Sequence, residues 1–187
     1  MVLAAAKPYG LKDLKVRSWS SGSLGAAVDL PAAALLKFST KRDSAKAEGD
    51  DRTVAVASNV KEVEFELKSS ILPLDALAVM TGVTVTDSGT TPNQVKRYAP
   101  KVGAMAPYFL IEGKALSESG GDFHGKVYKC KVTDDPDVGL ENGKFADVSL
   151  KGTGIGVTAD EASTIGGSAA ADECFELLQN ETEADIS

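Results

Sequence analysis

A chain of 187 residues, 43% hydrophobic and 25% charged, suits one soluble domain with a buried core. Its net charge of −7 argues against binding nucleic acid through bulk charge, and two cysteines with one histidine are too few for a Cys/His zinc site or a disulfide scaffold. The opening MVLAAAK is too short an apolar run for a signal peptide, and no stretch nears the roughly 20 apolar residues of a membrane span, so a soluble protein made in a reducing cytosol is expected.

Along the chain, LKDLKVRSW (11–19) reads as a strand with Leu14 and Val16 on one face. SSGSLGA is a turn-rich link. AVDLP and AALLKFST (33–40) continue in extended form, with Leu36 and Phe38 alternating against Lys37 and Ser39. Residues 41–52, KRDSAKAEGDDR, are polar and lack periodicity, so an extended exposed loop is expected. TVAVAS (53–58) is a strand. KEVEFELKSS (61–70) then alternates cleanly, placing Val63, Phe65 and Leu67 on one side and Glu62, Glu64, Glu66 and Lys68 on the other.

LPLDALAVMTG (72–82) carries the one expected helix. Pro73 suits its first turn, Asp75 complements its positive end and Gly82 ends it; Leu74, Leu77, Ala78 and Thr81 share a face. VTVT (83–86) reads as a short strand and DSGTTPNQ (87–94) as a turn. PYFLIEGKAL (107–116) and GKVYKCKVT (125–133) are strands around SESGGDFH. In the second, Tyr128, Cys130 and Val132 are expected on one face, with Lys129, Lys131 and Thr133 on the other. DDPDVGLENGK (134–144) reads as loop, FADVSLKGTGIG (145–156) begins as a strand, and ECFELLQNET (173–182) fits a strand or a short helix. About seven to nine strands and one short helix favour a mainly β fold, an antiparallel β-sandwich or barrel with the helix at about 72–82, in a single domain over 1–187.

Charge is uneven along the chain. After Lys151, the last base, come eight acids: Asp160, Glu161, Asp172, Glu173, Glu176, Glu181, Glu183 and Asp185. Residues 152–187 are therefore an acidic C-terminal segment on a nearly neutral body.

Each motif has a plain reading beside a chemical one. GIGVTA (154–159) fits the dinucleotide fingerprint, but that site needs a dozen-residue helix and a second parallel strand, and STIGGSAA is a poor helix; a glycine-rich turn is expected. His124 beside Asp122 would supply half of a triad, yet no elbow motif places a nucleophile, so a solvated loop histidine is expected. Cys130 reads as a buried thiol. EGDDR (48–52) sets its acids side by side rather than at the alternating positions of a calcium loop. It reads either as a solvated loop or as a contact arm. Glu62, Glu64 and Glu66 form the wet side of a sheet or a surface that repels something acidic. No catalytic residue, metal or cofactor is expected.

The phrases YGLKDLKV (9–16), AAVDLPAAALLKFS (26–39), EGDDRTVAVAS (48–58), VEFELKSSILPLDALAVMTGVTVTDSGTTPNQV (63–95), and YFLIEGKAL followed by DFHGKVYKCKV (108–132) occur in an order that resembles the major tail proteins, or tail tube proteins, of long-tailed bacteriophages. The likeness spans most of residues 9–132 and fades in the last 50.

The resemblance implies a sandwich or barrel flanked by a helix, and a structural protein without enzymatic activity. It implies self-assembly into rings, typically hexameric, with sheets joined into one inner barrel. Rings would stack around a tape-measure protein between tail-tip and tail-terminator proteins, and the tube would conduct DNA from virion to host. The chain would reside in the host cytoplasm before assembly and in the virion tail afterwards, with no membrane partner. In a closed ring every exposed charge repeats around the axis, so Glu62, Glu64 and Glu66 are expected to face the lumen. Lys41, Arg42, Asp43, Glu48, Asp50, Asp51 and Arg52 are expected on an arm reaching the next subunit or ring. Lys96, Arg97 and Lys101 offer a basic patch for the acidic C-terminal segment. The alternatives are another virion β-protein, such as a capsid decoration or tail-terminator protein, and a small β-sandwich ligand-binding domain.

Overall fold

The computed structural model describes residues 5–71, 73–143, 146–167 and 169–186. The fold is mainly β, as the alternating segments predict. β1 (Pro8–Ser20) returns through Ser21 and Gly22 into β2 (Ser23–Asp29). Both turn residues have positive φ, as a two-residue hairpin matching the strand twist requires. β3 (Ala33–Gly49) and β4 (Arg52–Ser69) follow, then α1 (Leu74–Thr81) and the small hairpin β5 (Val85–Ser88) and β6 (Val95–Tyr98). β7 (Phe109–Ser117), β8 (Asp122–Gly139), β9 (Asp147–Gly154), α2 (Ala159–Ile165) and β10 (Phe175–Asn180) complete the chain.

The main sheet is antiparallel, in the order β2-β1-β7-β8-β9-β4-β3, with β10 also pairing with β8. It curls without closing, because its two edges, β2 and β3, share no ladder among the described residues. Leu36 and Phe38 of edge strand β3 reach the core that holds Leu14 and Val16 of β1. Glycines make that approach possible: a Cβ on Gly125 would lie 2.6 Å from the Phe38 ring, and one on Gly113 2.5 Å from Leu36. Val63, Phe65 and Leu67 are buried, as their alternation predicts, and Phe65 meets Phe109 edge to face at 5.8 Å. Each such side chain contributes about 1.5–3 kcal/mol of burial.

α1 packs on this core with Ala76, Leu77 and Met80 buried. The expected face, Leu74, Leu77, Ala78 and Thr81, is thus only partly right. The helix is apolar nearly all round, so its period does not select a side. Gly82 ends it at φ 75°, donating its N–H to the Ala78 carbonyl.

Several other expectations change. Residues 41–52 are not a loop but the outer half of the β3–β4 hairpin. Residues 134–139 are not loop either; β8 runs on to Gly139 beside β9. Residues 122–124 belong to β8, and 175–180 form a strand. Tyr128 and Cys130 do not share a face. The register between β7 and β8 shifts between Phe109↔Cys130 and Ile111↔Val127, a bulge that turns Tyr128 away from the main core. Tyr128 packs instead in a second cluster with Leu110, Val157 and Ala162.

α2, unforeseen, covers that second cluster. Its start is a capping box: Thr158 Oγ1 accepts from Glu161 N, and Glu161 Oε2 accepts from Thr158 N. The glycines of 154–159 therefore lead into a seven-residue helix on an antiparallel sheet, without the parallel strand a dinucleotide site needs.

Candidate functional site

Among the described residues, the outer β3–β4 ribbon pairs with no third strand. β9 pairs with β4 only as far as Val63, opposite Gly154. Beyond it, among the described residues, β3 and β4 pair only with each other, from Thr40↔Val63 to Gly49↔Arg52. At roughly 3.3 Å per residue the ribbon projects on the order of 35 Å from the sheet. Asp50 and Asp51 turn its tip at φ 49° and 59°, a left-handed conformation that Asp tolerates.

One face of the ribbon presents Val54, Val56 and Val60, 67%, 61% and 44% exposed. Val56 is level with Lys46 and Val60 with Arg42 across the ladder, and Val54 falls at the irregularity between Ala47 and Glu48. The other face is small, with Ala45 opposite Ala57 and Ala47 opposite Ala55. A two-stranded ribbon with nothing packed on either face is marginal in water. Both faces being wet also explains why 41–52 carries no polar–apolar period. All seven expected contact residues lie here, and all are exposed. Lys41 sits at the root, pairing with Glu64 and, at 3.8 Å, with Glu62. Asp43 faces Lys61 at 3.9 Å. Glu48, Asp50, Asp51 and Arg52 gather at the tip.

Glu62, Glu64 and Glu66 do share the outer face of β4, each partly exposed. Their wall is not purely acidic. Glu66 lies directly between Lys37 on β3 and Lys151 on β9, and Lys68 reaches it at 3.4 Å. With Lys41, four lysines interleave with three carboxylates, so signs alternate across strands rather than along one. Reading β4 alone hides this, because the partners are distant in sequence.

At the opposite end of the sheet lies a cleft of about 760 Å³ between α1, residues 100–106 and the far half of β8. Leu74, Leu77, Tyr98, Val132 and Val138 line it, with Val102 and Met105 fully open to solvent at its rim.

His124 is the largest departure from expectation. It is in β8, 4% exposed, and not solvated. Its Nε2 lies 3.1 Å from Asp122 Oδ2 and its Nδ1 3.4 Å from Glu112 Oε1. Both nitrogens are taken up by carboxylates, so neither is free to activate a nucleophile. Residues 180–186 close over this group. Asp122 accepts from Asn180 Nδ2 and from the Ala184 N–H, both at 2.7 Å. Lys114 donates to the Ala184 carbonyl at 2.6 Å and pairs with Glu183 at 2.9 Å. Lys15 donates to the Ile186 carbonyl, and Lys12 pairs with Glu183 at 3.0 Å.

Burial alone would raise the Asp122 carboxyl, but hydrogen bonds from Ala184, Asn180 and His124 outweigh it and hold it at about 2. Burial would likewise lower Lys114; the Glu183, Asp122 and Asp185 carboxylates reverse that and raise it. The C-terminal acids thus meet Lys12, Lys114 and, through Glu161, Lys129. Within the chain, Lys96 of the basic patch at 96–101 pairs with Asp75; the contact expected between that patch and the acidic segment is one with a neighbouring copy.

Among the described residues no cluster of His, Cys, Asp and Glu is placed to hold a metal, and no helix is long and apolar enough to cross a membrane. Compared with protein-family models, and separately with curated proteins, the chain matches none.

Proposed function

We propose that this chain is a structural protein that polymerises through its own surfaces, in the manner the likeness to phage tail tube proteins implies. Copies would form rings, typically hexameric, that stack into a tube around a tape-measure protein, end on tail-tip and tail-terminator proteins, and let DNA pass without specific binding. One observation carries the reading: the ribbon beyond Val63 exposes three valines and four alanines on a two-stranded arm with no core of its own. Such an arm is stabilised only when something covers it. The edges β2 and β3, open among the described residues, support the same reading, since each offers a row of backbone groups to a neighbour. The outer face of β4 supports it less. Three carboxylates among four lysines make a nearly neutral wall, poor at binding phosphate but not strongly repulsive. No chemistry is assigned to the His124–Asp122 pair, which lies buried under residues 180–186.

Negative-stain microscopy of the purified protein, concentrated from micromolar towards millimolar, tests the proposal. Rings or tubes are expected; a monodisperse monomer throughout would refute it. The cleft favours a second reading, a ligand-binding domain. That reading predicts a monomer whose melting temperature rises with small apolar ligands.

A further inference from the structure

Among the described residues two apolar surfaces lack cover, and they lie at opposite ends of the sheet. β4 runs from the ribbon tip at Arg52 to Ser69, which lies level with Val148 of β9 and, through it, with Val138 on the cleft wall. Its 18 residues span about 60 Å if straight. One end of the strand therefore projects a donor and the other holds an acceptor.

Their chemistry matches. The tip carries Glu48, Asp50 and Asp51 against a single base, Arg52. The cleft has Lys101 and Lys131 in its wall against a single acid, Asp134, with Arg97 on the adjoining strand β6, and Glu161 and Glu183 of the acidic C-terminal segment pair elsewhere in the chain. Behind the acidic tip come Val54 and Val56; behind the basic rim come Leu77, Val132 and Val138. The order, charge outside and apolar inside, is the same on both. A volume of about 760 Å³ takes a few side chains, hence a tip and not the whole ribbon.

We infer that the ribbon tip of one copy docks in the cleft between α1, residues 100–106 and β8 of the next. The inference rests on the self-assembly reading above and names the acceptor that reading leaves open. Donor and acceptor are different patches, so the contact is heterologous and does not close on a pair. Each copy offers a free tip at one end and a free cleft at the other, and growth continues along the strand direction.

Two variants test this. In the first, residues 44–58 are replaced by Asn-Gly, joining Asp43 to Asn59, which face each other in the ladder. The second carries Val102→Asp and Met105→Asp, at positions 107% and 87% exposed, where the fold does not depend on the side chain. Should the shortened ribbon misfold by near-UV circular dichroism, Val54→Asp with Val56→Asp removes the donor instead. Light scattering after size exclusion follows the mass. Wild type is expected to grow without limit, and each variant alone to stop at a discrete particle. An equimolar mixture is expected to double that mass and stop, because one partner supplies only tips and the other only clefts. Wild-type growth with a mixture that does not double, or with a Val102→Asp/Met105→Asp variant that grows like wild type, overturns the docking assignment and leaves self-assembly standing. A wild-type chain that never assembles overturns both.

Discussion

Replacing Asp122 by Asn should unlatch the C-terminal segment. The carboxylate is fully buried, accepts hydrogen bonds at 2.7 Å from Ala184 N and Asn180, and stands 3.6 Å from Lys114, whose side chain is 4% exposed. Breaking a buried ion pair costs about 3–5 kcal/mol. Lys114 retains Glu183 and the Ala184 carbonyl, so about 3 kcal/mol is expected at pH 7. The loss should depend on pH in one direction. Asp122 titrates at about 2 when folded against 3.8 ordinarily, so its contribution is complete above the unfolded value and is lost as pH falls through the folded one. That difference corresponds to about 2 kcal/mol. Urea unfolding of both proteins from pH 7 to pH 2 measures it. The stability gap should hold at neutral pH and narrow by about 2 kcal/mol between roughly pH 4 and 2. A gap under about 1 kcal/mol at pH 7, or one unchanged at pH 2, would show that Asp122 does not hold the segment.

Three further outcomes are expected. Gly152→Ala should destabilise by about 1–3 kcal/mol in chemical denaturation, because its Cβ would run into the Lys131 carbonyl and the Phe65 ring. Thr158→Ala should cost about 1 kcal/mol, read as a lower melting temperature, by removing the side-chain acceptor from the α2 capping box. Replacing residues 44–58 by Asn-Gly should leave the melting temperature within a few degrees of wild type, since none of the buried core residues lies in that span.

Legibility in the sequence follows from how local the signal is. The core of β4 was readable because Val63, Phe65 and Leu67 sit on a strand with one wet face and one dry. Its continuation into the ribbon was not, because a strand wet on both sides loses the period that marks it. Tyr128 departs from the alternation through one extra residue in β8, a bulge set by the register with β7 and not marked in the sequence of β8 itself. His124 looked solvated because the residues that bury it, 180–186, lie more than 50 positions later. α2 did carry a local signal: Thr158 and Glu161 have the spacing of a capping box. The lysines that balance Glu62, Glu64 and Glu66 are legible only once β3 and β9 are known to flank β4.

The ribbon also bears on how the chain must be handled. Among the described residues β3 is an edge strand and β4 is unpaired on its outer side until Val63, so the arm has two open backbone edges. The β3 edge is studded with Lys41, Arg42, Asp43, Lys46 and Glu48, charges that oppose stray strand addition. The β4 edge, TVAVASNV over residues 53–60, has neither charge nor proline. It is rich in valine and has the make-up of a segment that stacks into amyloid. Chains held at high concentration without their proper neighbour would then convert slowly to fibrils, and a single lysine in place of Val56 should suppress them.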